Sequence, residues 1–155
     1  MTATTPLHAP ERNRRTGLGR VLIAVYAVLA LAALGRSVFQ VATKFNDAPL
    51  AYALSAVAAL IYVVATVALI APGRSWTRIA WLTISIELAG VVTVGFLSIF
   101  LPALFPHDTV WSAFGRGYVF LPLIMPILGL LWLRSTARLA LGTPTNTPTT
   151  PGEAS

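Results

Sequence analysis

The chain has 155 residues, of which 56% are apolar and only 10% charged, with a net charge of +6 and no cysteine. A soluble domain carries about 25% charged residues, so a water-soluble core is excluded. The missing thiols exclude a disulfide framework, thiol redox chemistry and thiolate metal sites. The two histidines, His8 and His107, are too few and too far apart to propose a metal, and no cofactor is expected. The positive charge does not point to nucleic acid. It sits at the ends of apolar stretches, where it sets topology and meets anionic lipid.

Residues 1–17 are polar and basic, with Arg12, Arg14 and Arg15 leading to the membrane, and are expected to be disordered. Residues 18–141 form the transmembrane domain. Its apolar stretches are long enough to cross ~30 Å of hydrocarbon as helices at about 1.5 Å per residue. The first span runs over about 21–43, opened by Arg20 and closed by the tight connection Lys44–Pro49. The second covers about 50–71 and stops at Pro72-Gly73. Residues 74–78 are read as a short loop. The third span covers about 79–101, with Pro102 and Pro106 marking its exit. Residues 106–117 form the longest loop, and the fourth span covers about 118–133, ending against Arg134 and Arg138. The Thr/Pro-rich tail 142–155 reads as unstructured. An A-x-A match at Ala30-Leu31-Ala32 raises the alternative of a cleaved signal peptide, but the helical pattern continues past it to Thr43.

Orientation follows from the arginine and lysine content of short loops. One side holds Arg12, Arg14, Arg15, Arg20, Arg74, Arg78, Arg134 and Arg138, whereas the other holds Lys44 and Arg116. The expected architecture is an all-α membrane protein, an antiparallel four-helix transmembrane bundle with both termini cytoplasmic.

Glu87 is the most informative residue. It lies nine positions after Arg78, roughly 13 Å into the hydrocarbon. An ionised carboxylate there costs several kcal/mol, on scales that disagree widely, so the side chain is expected to face the bundle interior, protonated or compensated by a partner. Its helical face reads Thr83, Glu87, Gly90, Val94, Ser98, a small and partly polar stripe that should pack against helices. Tyr62 matches its depth at roughly 18 Å from the opposite end of the second span, and Tyr26 lies roughly 9 Å from the inner boundary. Arg36 is the other charge embedded in a span, either reaching toward Glu87 or snorkelling to the outer headgroups. Glu87, Tyr62, Arg36 and Tyr26 form the candidate intramembrane polar site. Small multidrug transporters also use four helices and one membrane glutamate, but theirs lies in the first helix, and here it is in the third.

Three further features are structural at first reading. The small-residue row Ala51, Ser55, Ala59, continuing to Tyr62 and Thr66, lets helix backbones approach closely. Pro122 and Pro126 should bend or loosen the start of the fourth span. The loop HDTVWSAFGRGY offers His107, Asp108, Trp111 and Arg116 as a candidate surface. Its aromatics fit a headgroup-level anchor, as do Trp76, Trp81 and Trp132 at the other boundary. His107-Asp108 lacks a nucleophile or third partner, so no catalytic set is present.

The stretch WSAFGRGYVFLPLIMPILGLLWLR, with the start GRVLIAVYAVLALAALGRS, resembles uncharacterised small four-span integral membrane proteins of actinobacteria over most of residues 18–135. The resemblance implies a bacterial plasma membrane and four spans, and carries no catalytic or transport motif. The leading expectation is a non-enzymatic accessory or interaction subunit of a membrane assembly. Its partners would be the lipid bilayer and another membrane protein or a second copy. The alternative is a small proton-coupled transporter or channel using Glu87.

Overall fold

The computed structural model describes residues 11–141, with side chains described over 17–138. Of the segments expected to be disordered, 1–10 and 142–155 lie outside these residues, whereas 11–17 is helical. Four helices carry the structure: α1 (Glu11–Lys44), α2 (Pro49–Ile70), α3 (Arg74–Phe100) and α4 (Leu121–Leu141), with short 3-10 turns at Phe45–Asp47, Pro102–Leu104 and Ser112–Tyr118. No strand occurs among the described residues.

Several boundaries differ from the sequence reading, each for a local reason. α1 begins at Glu11 and not near residue 18. The residues from Glu11 onward are mostly sound helix formers. α2 opens with Pro49 in its first turn, where the missing N–H is no loss. It ends at Ala71, which is extended (φ −72°, ψ 131°) because Pro72 follows. The chain then reverses on Gly73 alone, at φ +118°, a conformation that glycine adopts without the clash a Cβ would bring. Residues 74–78 therefore belong to the first turns of α3 and not to a loop.

The fourth segment departs furthest. It was expected to rise as one helix from about residue 118. The 3-10 turn Ser112–Tyr118 instead meets Leu121–Arg138 at 98°, and α4 starts only after Val119 and Phe120 pass through the left-handed region (φ +55° and +58°). α1, α2 and α3 are each long and apolar enough to cross a membrane, and a fourth span results if the bent pair is counted as one. Pro122 falls in the first turn of α4, which costs no backbone bond. Pro126 lies inside the helix and cannot donate to the carbonyl of Pro122.

α1 packs along α2, α2 on α3, α3 on α4, and α4 returns to α1. Buried positions recur every three to four residues: Leu22, Tyr26, Leu29, Ala33 on α1; Ala51, Ser55, Ala58, Tyr62, Ala65 on α2; Ala80, Ile84, Glu87, Val91, Val94 on α3. This is the interior stripe of a helix in a bundle. The α2 stripe is almost all alanine and serine, and its small side chains bring α1 close. The opposite faces are apolar and open: Leu31 is 72% exposed, Leu82 63% and Phe100 73%. Such surfaces are stable facing hydrocarbon and not water.

Candidate functional site

The interior spacing of α1 and α3 brings Tyr26 and Glu87 together, both wholly buried. The Tyr26 hydroxyl donates to Glu87 Oε2 at 2.7 Å. Oε1 is equally buried and has no hydrogen-bond partner. No cation forms an ion pair with Glu87 among the described residues, so one tyrosine hydroxyl is its whole polar environment there. Thr83, on the same stripe, spends its hydroxyl on the Ile79 carbonyl one turn back (2.6 Å).

Tyr62 completes the cluster but not by bonding Glu87. Its ring meets Tyr26 edge-on, with centroids 6.3 Å apart and planes at 60°. Its hydroxyl oxygen accepts the indole N–H of Trp111 at 3.1 Å. The Tyr62 hydrogen has no acceptor among the described residues. Two separate hydrogen bonds, Tyr26 to Glu87 and Trp111 to Tyr62, thus lie side by side with nothing joining them.

Trp111 is the residue whose placement the sequence reading missed. It is 3% exposed and packed among the helices. The ring lies on the backbone of Gly90, where a Cβ would come within 2.7 Å of it. Gly90 is ten residues before the end of α3, so the indole reaches roughly 15 Å inward from that end. Phe114 lies in the same way on Gly95, at 2.5 Å from where a Cβ would stand. The α3 stripe does face inward, and at Gly90 and Gly95 it is covered by rings of the 105–120 segment.

A non-helical chain at this depth must have its backbone groups satisfied by protein, and here side chains supply much of that. Ser55 Oγ accepts from the Val110 N–H (3.4 Å), and Ser98 Oγ from the Ala113 N–H (2.8 Å). Thr109 Oγ1 accepts from the Trp111 N–H (3.1 Å). Arg36 Nη2 donates to the Asp108 carbonyl at 2.8 Å, and its guanidinium lies 6.0 Å from the Tyr118 ring centre. Arg36 therefore does not pair with Glu87; it holds this segment. The segment is also strained. Ala113, Phe114, Val119 and Phe120 all have positive φ, a conformation that costs on the order of 1–3 kcal/mol per non-glycine residue.

The remaining loop candidates divide. His107 is exposed and stacks on Tyr52, with centroids 5.9 Å apart. Asp108 and Arg116 are exposed, and Asp108 enters the network only through its carbonyl. Among the described residues no three His, Asp or Glu side chains gather as a metal site. Of the boundary tryptophans, Trp76 is 38% exposed. Trp81 carries Arg134 over its ring at 5.7 Å, and Trp132 packs on Gly19.

No protein-family model matches the chain. No curated protein and no solved structure is significantly similar to it. The functional reading therefore rests on the site alone.

Proposed function

We propose that the chain is a non-enzymatic multi-pass protein of a bacterial plasma membrane, an accessory or interaction subunit of a membrane assembly. In this reading its helices form an antiparallel bundle with both termini in the cytoplasm, as the arginine asymmetry directs. The observation that carries it is the buried bond from Tyr26 to Glu87. That bond spends the intramembrane carboxyl on tying α1 to α3, the use of polar side chains as interhelical glue. Contact with a partner then falls to the apolar outer faces. The stacked pair Phe96 and Phe100 (6.3 Å) is a suitable anchor, since aromatic side chains dominate contact energetics. The test is chemical cross-linking in native membranes followed by co-purification. Glu87→Gln should leave the complex intact, whereas Phe96→Ala with Phe100→Ala should dissolve it. The reverse pattern refutes the reading.

A second reading is favoured by one specific observation. Glu87 Oε1 is bare, and rings from a loop segment cover α3 at Gly90 and Gly95. This arrangement fits the closed state of a proton-linked transporter or channel, because an intramembrane carboxyl with a free oxygen can accept a donor that arrives from water. Infrared difference spectroscopy of the carboxyl band, with Glu87→Gln as the blank, separates the two. A band that titrates shows aqueous access and supports transport, and a band that never changes leaves Glu87 as glue.

A further inference from the structure

We infer that segment 105–120 is a removable plug, and that its withdrawal opens a water path to Glu87 from the end of the bundle where the 45–47 turn lies. The inference rests on the proton-linked reading for its purpose and names what would control that site.

Four observations carry it. First, the segment is seated and not woven in. Trp111 and Phe114 rest on Gly90 and Gly95, so withdrawal would strip two rings from a helix that remains continuous. The four helices keep their own mutual contacts without it. Second, its polar hold is a small set of separate side-chain bonds: Arg36 to the Asp108 carbonyl and the Tyr118 hydroxyl, Ser55 to Val110, Ser98 to Ala113 and Tyr62 to Trp111. Such bonds break one by one, whereas a helix ladder does not. Third, the seated form holds Ala113, Phe114, Val119 and Phe120 at positive φ. Release lets those residues return to ordinary conformations, and strain of this kind gathers at switching segments. Fourth, the groups beneath are unfinished. Glu87 Oε1 has no donor, and the Tyr62 hydrogen has no acceptor among the described residues. Water entering behind the plug would complete both.

Pro102 breaks the chain between α3 and the segment, and within it Gly117 has open space around it. The other cavities carry less. The groove of about 430 Å³ lined by Ser37, Val38 and Ala59 faces the lipid side with nothing to say what covers it. The pocket of about 390 Å³ beside Gly73 and Thr77 holds no unpartnered buried group.

The chain has no native thiol, so one introduced cysteine can report access. Val94, 5% exposed, lies on the plugged face of α3, and Ala65, 0% exposed, lies on α2 toward the other end of the molecule. The full chain in vesicles would be treated with a membrane-impermeant cationic thiosulfonate. We expect Val94→Cys to label slowly, and Arg36→Ala to speed it by about tenfold or more, the change that follows when one charge-assisted bond leaves a two-state closing equilibrium. Ala65→Cys should stay unreactive in both backgrounds. Unchanged labelling at Val94→Cys after Arg36→Ala overturns the inference. If Ala65→Cys also reacts, the substitution has opened the whole structure, and hydrogen exchange in the unsubstituted chain decides. Exchange of 109–120 as one unit, ahead of 84–95, supports the plug, and exchange no faster than 84–95 overturns it. Should the Glu87 carboxyl titrate while the segment stays shut, access comes by another route, and only the plug falls.

Discussion

The indole of Trp111 gives its N–H to the hydroxyl of Tyr62, 49 residues away in the chain and wholly buried. This one bond ties a loop to the middle of α2 and sets it directly beside the Tyr26–Glu87 pair.

Replacing Trp111 by phenylalanine removes the donor and keeps an aromatic ring on Gly90. The loss should be about 1–2 kcal/mol, one hydrogen bond together with an imperfect fill. Trp111→Ala leaves a cavity as well and should cost about 3–5 kcal/mol. Reversible unfolding in mixed micelles at increasing denaturing-detergent fraction would rank the two, and equal losses would show that the ring is not packed as described.

Two glycines of similar appearance in the sequence should respond in opposite ways. Gly90→Ala puts a methyl within 2.7 Å of the Trp111 ring and should destabilise by about 1–3 kcal/mol through overpacking. Gly35→Ala, inside α1 with nothing within 4 Å, should stabilise by roughly 0.5–1 kcal/mol, the gain of alanine over glycine in a helix. Melting temperatures of the two purified variants test the sign directly.

Tyr26→Phe leaves both Glu87 oxygens without a donor from the protein. The expected cost is about 1–3 kcal/mol, that of an unsatisfied buried polar group. Glu87→Gln retains an oxygen that accepts from Tyr26 and should cost less. The double variant should not lose the sum of the two singles, because they share one bond. A thermodynamic cycle over the four proteins reads this coupling, and strict additivity would sever the pair.

Packing of α1 on α2 depends on small side chains. Ala59→Leu, at 1% exposure, should force the helices apart and cost about 1–3 kcal/mol. Val57→Leu, on the open face at 47% exposure, should change stability by under about 0.5 kcal/mol. Expression level together with thermal retention on a sizing column distinguishes them.

Much of the helical frame was legible because length and hydropathy decide it. Three segments are too apolar and too long for any other reading, and proline or glycine marks most of their ends. The inward face of α3 was legible from Glu87 itself, since a carboxyl cannot face lipid cheaply. The partner Tyr26 was named only as one member of a depth-ranked set. What sequence reasoning missed is the 105–120 segment, because tryptophans near a boundary usually anchor at headgroups, and depth counted along a span says nothing of a chain that turns back. A signal was there. Gly90, Gly95 and Ser98 on α3, with Ser55 on α2, form notches and hydrogen-bond acceptors that a pair of smooth helices would not need. The loop beside them, TVWSAF, is too apolar to stand in water. For Arg36 the sequence offers lipid headgroups or Glu87, whereas its partner is a backbone carbonyl, a group that composition cannot reveal.

The burial of Trp111 also gives the protein an optical reporter of its own. Of its four tryptophans, Trp76, Trp81 and Trp132 lie on the first turns of α3 and the latter half of α4. Trp111 alone emits from the other half, bonded to the Tyr62 hydroxyl and lying on Gly90. With those three replaced by phenylalanine, the colour and lifetime of its fluorescence become a continuous readout of whether the bundle's interior is dry or wet, with no label added.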